Sequence, residues 1–388
     1  MSDETTTSDV APIDHKVPGH FGRLYQGLTT IDFVGRKKTW FTISVIIIVI
    51  GLGSLAIRGF NLGIDFKGGS SWEVLAPHTS VQAMTTAVSN AGLSNPIVQK
   101  LGSETYQVSA NLNALSTDQL KHVTDAVVNA MAKVARVNPN QVSTSAVGPT
   151  WGGQITNRAL EALIVFFIAV VAYISIRFEP KMALAAFIAM VHDLLVTVGI
   201  YSLFGFQITP DTVIAILTIL GYSLYDTVVV FDRVRDNTGT VLKSGDMSYG
   251  DMVNLSMNQT LARSINTSLV AILPVFSVLA VGAYLLGATT LQNYGLALFV
   301  GLMSGAYSSI FIASPLLAVM KEREPRFREL ALRAAARGDH AVLSASAAAK
   351  LSGASAQRQR RASASSNAAS TSATGYAIQA RARKPKKR

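Results

Sequence analysis

The chain has 388 residues, 49 % of them hydrophobic and only 15 % charged, with a mean hydropathy of +0.34. That is too apolar for an ordinary soluble domain, and the excess lies in long runs, so composition points to a protein that crosses a membrane several times. The formal net charge of +11 does not mark a nucleic-acid binder, because sixteen Lys and Arg against four Asp and Glu lie from Lys321 onward and the rest is near neutral; with no cysteine there is neither a disulfide framework nor a thiolate metal site.

Residues 1–39 begin polar and acidic with no apolar run near the start, which does not fit a cleaved signal peptide; a short cytoplasmic segment ahead of a retained anchor is expected. Runs of about 20 apolar residues, enough to span a bilayer, occur at Trp40–Ile57, Ala159–Ile176, Met182–Phe204, Thr212–Phe231, Ser264–Leu286 and Tyr294–Met320. Lys and Arg cluster at Arg36 to Lys38, at Arg177 and Lys181, at Arg233, Arg235, Lys243 and Arg263, and at Lys321 and Arg323, while the loops 205–211 and 287–293 carry none. The positive-inside rule then puts both termini in the cytoplasm of a multi-pass protein of the cytoplasmic membrane.

That topology exports residues 58–157. Their pattern predicts a strand at Ser71–Leu75, a helix at Val81–Ala91, strands at Pro96–Lys100 and Tyr106–Ala110, a helix at Ser116–Val134 and a strand at Gln141–Ala146. Ser116 and Gln119 give the second helix a capping-box signature. The order β-α-β-β-α-β is that of a ferredoxin-like sandwich. The fold class expected is therefore a polytopic α-helical membrane protein with six transmembrane helices and one exported α+β ferredoxin-like domain between the first two. A bundle of spans 2 to 6 (158–320) follows, then a basic tail (321–388). Beyond Leu330 the tail turns to Ala, Ser and Arg and is expected to be disordered. Its last run, Arg381–Arg388, reads either as a segment drawn to anionic lipids or to the ribosome or as a merely solubilising tail.

Asp226 stands well inside the fourth span, where a charge costs about 2.5–3.5 kcal/mol. Fifteen residues beyond Asp211, it lies ~22 Å down the helix, in the cytoplasmic half. Tyr222, Asp226, Val229 and Arg233 share one face, expected to point inward. Arg263, in the first turn of the fifth span, is at matching depth, so an Asp226–Arg263 pair is geometrically available; its structural alternative is a static ion pair fixing helix register. His192 and Asp193 place two more titratable groups at membrane depth. Neighbours on a helix point about 100° apart, so spacing alone favours His192 bonding a carbonyl over the two lining one path. Asp211 reads as a helix-terminus residue and Asp232, Arg233 and Arg235 as boundary anchors. Pro274 should kink the fifth span, and Gly301-x-x-x-Gly305 with Ser304 and Ser308 offers a packing seam. Six scattered histidines, no Walker glycine loop and no Gly-x-Ser-x-Gly leave no recognisable catalytic site, metal site or cofactor site; a non-enzymatic protein working on a gradient or with a partner is expected.

Three segments taken together are distinctive: NLGIDFKGG at Asn61–Gly69, GYSLYDTVVVFDRVRDN at Gly221–Asn237 and NQTLARSINTSL at Asn258–Leu269, joined by VHD at Val191–Asp193. Over residues 33–322 they resemble the SecF family, six-span accessory subunits of the bacterial Sec protein-export machinery within the resistance-nodulation-division (RND) superfamily. The family usually has Asn before the fourth-span Asp, where Tyr225 stands here. The resemblance implies a SecD partner supplying a second six-span half, work beside the SecYEG channel on a translocating polypeptide, and use of the proton motive force. Carried over by motif position, Asp226, Arg263 and Asp193 are proton-coupling candidates, with Tyr222, Asn266, His192 and Asp65 supporting. Two rivals stand beside this reading: half of an RND-type lipid or small-molecule exporter, and a non-conducting structural subunit. The five aromatics of the exported segment, Phe60, Phe66, Trp72, Tyr106 and Trp151, make a poor lining for an apolar ligand pocket.

Overall fold

The structure, a computed structural model, describes residues 29–102, 104–112, 115–244, 247–285 and 289–337. The run Arg381–Arg388 lies outside the described residues, as do residues 1–28. Six helices are long and apolar enough to cross a membrane. They are α1 (Lys37–Arg58), α5 (Pro149–Arg177), α6 (Pro180–Phe204), α7 (Pro210–Ser244), α8 (Tyr249–Ser277) and α9 (Thr289–Ser308). The eighth helix runs on as a π-helix (Val278–Leu285), while α9 passes through a π-helical turn (Ser309–Ala313) into α10 (Ser314–Glu322). Pro274 lies inside α8, one turn before the π-helix begins.

Between α1 and α5 the chain forms a short helix α2 (Ile64–Lys67), then β1 (Gly69–Leu75), α3 (Val81–Asn90), β2 (Ile97–Leu101), β3 (Thr105–Ala110), α4 (Thr117–Ala135) and β4 (Ser143–Val147). The sheet is antiparallel in the order β2-β3-β1-β4, the ferredoxin-like arrangement expected. Alternation along β1 and β3 turns Trp72, Val74, Tyr106 and Val108 to one face, where Met84, Val88, Val127 and Met131 of the two helices close the core. The Ser116–Gln119 capping box forms as read, and a second, Asn138–Gln141, caps the short 3₁₀ turn before β4.

The domain is seated on the bundle by the GIDFKGG segment. Ile208 donates to the Asn61 carbonyl (2.8 Å) and its own carbonyl accepts from Gly63 N–H (2.9 Å), a parallel β-bridge between the α1–α2 link and the α6–α7 loop. Asn61 Nδ2 and Gln99 Nε2 both donate to the Gly205 carbonyl. Gly69 has φ +130°, and a side chain there would lie 2.5 Å from the Ala110 carbonyl. Gly102 N–H donates to Gln292 just inside α9 (2.7 Å).

Helix α1 runs parallel to α6. Ser44 meets His192, Gly51 meets Gly199 and Ser54 meets Ser202, each pair 148 positions apart, and a Cβ on Gly51 would sit 2.7 Å from the Gly199 Cα. Helices α7 and α9 are parallel too. Ile219 and Ser223 stand against Gly301 and Gly305, so the predicted small-residue seam is a helix contact. At the end of the bundle away from the domain the basic clusters meet acidic partners: Arg177 and Arg235 on Asp232, Lys181 on Glu324, and Lys321, 6 % exposed, on Glu179 and Glu324. Asn254 and Asn258 bind the backbone of residues 31–34 across that end.

Several boundaries differ from the sequence reading. Helix α5 starts at Pro149, well before Ala159, because Pro and the polar turn after it begin a helix whose apolar part comes later. Helices α7 and α8 extend past the apolar runs into a polar pair, with Asn237 donating to Ser256 and Gln259. The chain beyond Leu330 continues as helix α11 (Pro325–Arg337) rather than losing order there, since Phe327 packs edge-on to Tyr249 and anchors the first turn.

Two outcomes follow. Gly199→Val overpacks a backbone contact that cannot yield and should cost about 1–3 kcal/mol. Gly53→Val, on α1 with nothing within 4 Å, should leave thermal stability in detergent unchanged. Burial raises the Glu324 carboxyl, but the Lys181 hydrogen bond and the Lys321 charge outweigh it and hold the group below its usual 4.5. Its contribution is present above 4.5 and is lost as pH falls through the lower folded value. Since the chain has no cysteine, a single nitroxide at Cys-substituted Leu332 should report a loosening of α11 between neutral pH and about pH 3.

Candidate functional site

A carboxylate inside the bundle has no bulk water to bond, so its partners must come from neighbouring helices. Two carboxylates are held in this way, and α9 serves both. Asp193 on α6 is 1 % exposed. It accepts from Ser304 Oγ (2.8 Å), Ser308 Oγ (2.7 Å) and, across from α7, Ser223 Oγ (2.6 Å). Its fourth contact is His192 Nδ1 at 3.2 Å. Asp226 on α7, 3 % exposed, accepts from Ser309 Oγ at 2.5 Å.

Ser308 and Ser309 are neighbours, yet one faces Asp193 and the other Asp226. The π-helical turn begins at Ser309, and such a turn re-aims side chains where a regular helix would not. Gly301 and Gly305 bring the α9 backbone close enough to α7 for hydroxyls as short as serine to reach.

His192, 6 % exposed, also contacts Ser44 Oγ of α1 through Nε2 (3.0 Å). Ser44 bonds Tyr307 OH (3.3 Å), and Tyr307 donates to the Trp40 carbonyl (3.0 Å). The His192 and Tyr307 rings stack 6.0 Å apart.

The structure separates residues that spacing had joined. Arg263 does not pair with Asp226; it lies on the exposed side of α8 and donates to Tyr225 OH (3.3 Å). Tyr225 is 51 % exposed, and Asp226, one residue on and about 100° round the helix, turns inward to Ser309. Depth along a helix was readable; rotation about it was not. The face shared by Tyr222, Asp226, Val229 and Arg233 is buried at Asp226, half-buried at Tyr222 and Val229, and exposed at Arg233, which donates to Gln259 where α7 leaves the bundle. Asn266 is half-buried on α8, one turn from Arg263.

His192 and Asp193 were expected to diverge, with His192 on a carbonyl. They bond to each other instead, because a long imidazole can swing back over the shorter carboxylate, and the partner of Nε2 is a hydroxyl. Ser304 and Ser308 do more than pack. Ser44, Ser223, Tyr307 and Ser309 were missed altogether; their signal was hydroxyls recurring on apolar spans beside Gly301 and Gly305.

Asp65 sits apart, in α2 at the domain end. Burial pushes its carboxyl up from 3.8, a backbone hydrogen bond opposes this, and the Asp211 charge adds to the rise. Asp211 itself lies in the first turn of α7, the terminal role read for it.

Comparisons with known proteins fit this arrangement. The family described as protein export membrane protein SecD/SecF, C-terminal, matches residues 126–323, and the SecD/SecF GG motif matches residues 53–74. The chain is 44 % identical over 317 residues to a protein translocase subunit SecF of Streptomyces coelicolor, covering 81 % of this chain and 83 % of that one. It is 41 % identical over 327 residues to SecF of Mycobacterium tuberculosis, covering 82 % and 73 %. The crystal structure of SecDF, a translocon-associated membrane protein from Thermus thermophilus, superposes with a TM-score of 0.66 at 29 % identity, over 76 % of this chain and 39 % of that one. A second SecDF structure, in a super-membrane-facing form, gives 0.54 at 28 % over 79 % and 40 %. The chain thus spans about two-fifths of the SecDF chains. By sequence, motif and fold it belongs to the SecD/SecF family of protein-export membrane proteins, on the SecF side.

Proposed function

We propose that this chain is a non-enzymatic SecF-like subunit of the Sec translocase that pairs with SecD and converts the proton motive force into late, outward movement of a polypeptide emerging from SecYEG. The observation that carries the reading is Asp226: a carboxylate buried at membrane depth, held by one serine hydroxyl and, among the described residues, by no cation. A group so placed is costly as a permanent charge and suits transient protonation. One proton crossing 100 mV supplies ~2.3 kcal/mol, enough to bias a two-state packing by tens of fold.

Arg263 enters in a different role from the one its depth implied. An exposed guanidinium at the edge of the fifth span, propped by Tyr225, calls for a carboxylate on a neighbouring surface, and a second six-helix half would bring one. That the chain matches about two-fifths of the SecDF chains, leaving length in them for a further half, supports the same assembly. The basic clusters gathered at the end away from the domain support cytoplasmic termini and an exported domain. Trp72 and Tyr106 are both in the domain core, which leaves an exporter's ligand pocket only Trp151 and Phe60 as exposed aromatics of the segment.

Asp226→Asn tests the reading. The complex with SecD should still assemble, while gradient-dependent export in inverted or reconstituted vesicles is lost. Normal export by that variant, or proton flux indifferent to it, would leave a structural subunit as the better account. Arg263→Leu should weaken co-purification with SecD or abolish coupling, whereas Tyr225→Phe, which removes one exposed and long hydrogen bond, should retain most export; equal loss in both would show that Tyr225 itself is needed.

A further inference from the structure

The contacts around His192 form a hydrogen-bonded chain with only one possible direction. It ends on the Trp40 carbonyl, which accepts only, so the single Tyr307 hydroxyl proton is spent there. Tyr307 oxygen must then accept from Ser44, which spends the Ser44 proton in turn. Ser44 is left with lone pairs for His192, so the Nε2 position must carry a hydrogen. The remaining contact, Nδ1 to Asp193 Oδ1 at 3.2 Å, needs one further proton between two atoms that both have lone pairs.

The geometry points to a proton-storing pair: His192 and Asp193 together hold one transferable proton, as imidazolium with carboxylate or as neutral Nε2–H imidazole with carboxylic acid. This is a second proton site beside Asp226, reached from α1 and α9. Its part in export rests on the proton-coupled reading above. The groups facing His192 are Ser44 of α1, Asp193 and Val196 of its own helix, and Ser304 and Tyr307 of α9; among these described residues Asp193 is the one acid. A groove of about 280 Å³ between α1, α6 and α9 borders His192, Ser304 and Tyr307 and is otherwise lined by apolar side chains such as Ile47, Phe299 and Met303.

Release of the shared proton to water breaks one N–H or O–H bond and forms none within the protein. It leaves an Nδ1 lone pair facing a carboxylate oxygen at 3.2 Å. The chain cannot reverse to relieve this, because the Trp40 carbonyl has no proton to give. The Ser44 hydroxyl must instead turn from Tyr307 to Nε2, so the proton content of the pair is tied to the Ser44–Tyr307 hydrogen bond that links α1 to α9.

The test is ¹⁵N magnetic resonance of labelled His192 in the full chain assembled with SecD in bilayers. The ring should carry hydrogen on Nε2. Tyr307→Phe removes the acceptor of Ser44, frees Ser44 to donate to Nε2, and should move the ring proton to Nδ1; the same variant should shift the pH of half-maximal gradient-driven export. A wild-type ring with bare Nε2, or a ring state identical in both proteins, overturns the pair, and an unshifted export profile overturns its role in coupling. Asp226→Asn should leave the His192 signature intact, so normal export by that variant would sink the Asp226 reading while the pair stands.

Discussion

The structure turns on the close approach of α9 to α7 and α6. Water cannot satisfy a carboxylate in the hydrocarbon core, and a serine side chain reaches only one carbon beyond its backbone. Gly301 and Gly305 let α9 settle against Ile219 and Ser223, and the serines that follow come within 2.5–2.8 Å of two different acids. A larger residue at either glycine would move the whole row outward. The small-residue seam and the acidic site are therefore one feature, seen first as packing and then as chemistry.

The two acids are not equivalent. Asp193 takes three hydroxyl donors and an imidazole, so its oxygens are occupied on all sides. Asp226 takes one hydroxyl. A change of protonation at Asp226 disturbs one hydrogen bond on α9; at Asp193 it disturbs contacts to α1, α7 and α9 together. On the proposed proton-coupled reading, the first is the acid whose protonation disturbs least and the second the one whose protonation disturbs most of the bundle.

What the sequence disclosed follows the same division. Six apolar runs, the β-α-β-β-α-β order and the Ser116 cap were legible because length, period and local hydrogen bonding decide them. Depth was legible too, since residues per turn fix it: Asp226, Arg263 and His192 all lie inside the spans. Azimuth was not. Arg263 faces outward and Asp226 inward because of how α7 and α8 rotate against their neighbours, which no count along one helix contains. The serines of α9 were ambiguous for another reason, as a serine in an apolar span is as useful for close packing as for donating to an acid.

Two of the helices that meet at Asp193, α6 and α9, also hold the ferredoxin-like domain. Helix α6 carries Asp193 and, twelve residues or ~18 Å further on, the Gly205–Ile208 strap that bonds Asn61, Gly63 and Gln99. Helix α9 carries Ser304 and Ser308 and, near its start, Gln292, which holds the β2–β3 turn at Gly102. Tyr201 OH on the Asn293 carbonyl locks the two helix ends together at that level. The serine cage that satisfies a buried acid is, by this connectivity, built on the same two helices that seat the domain.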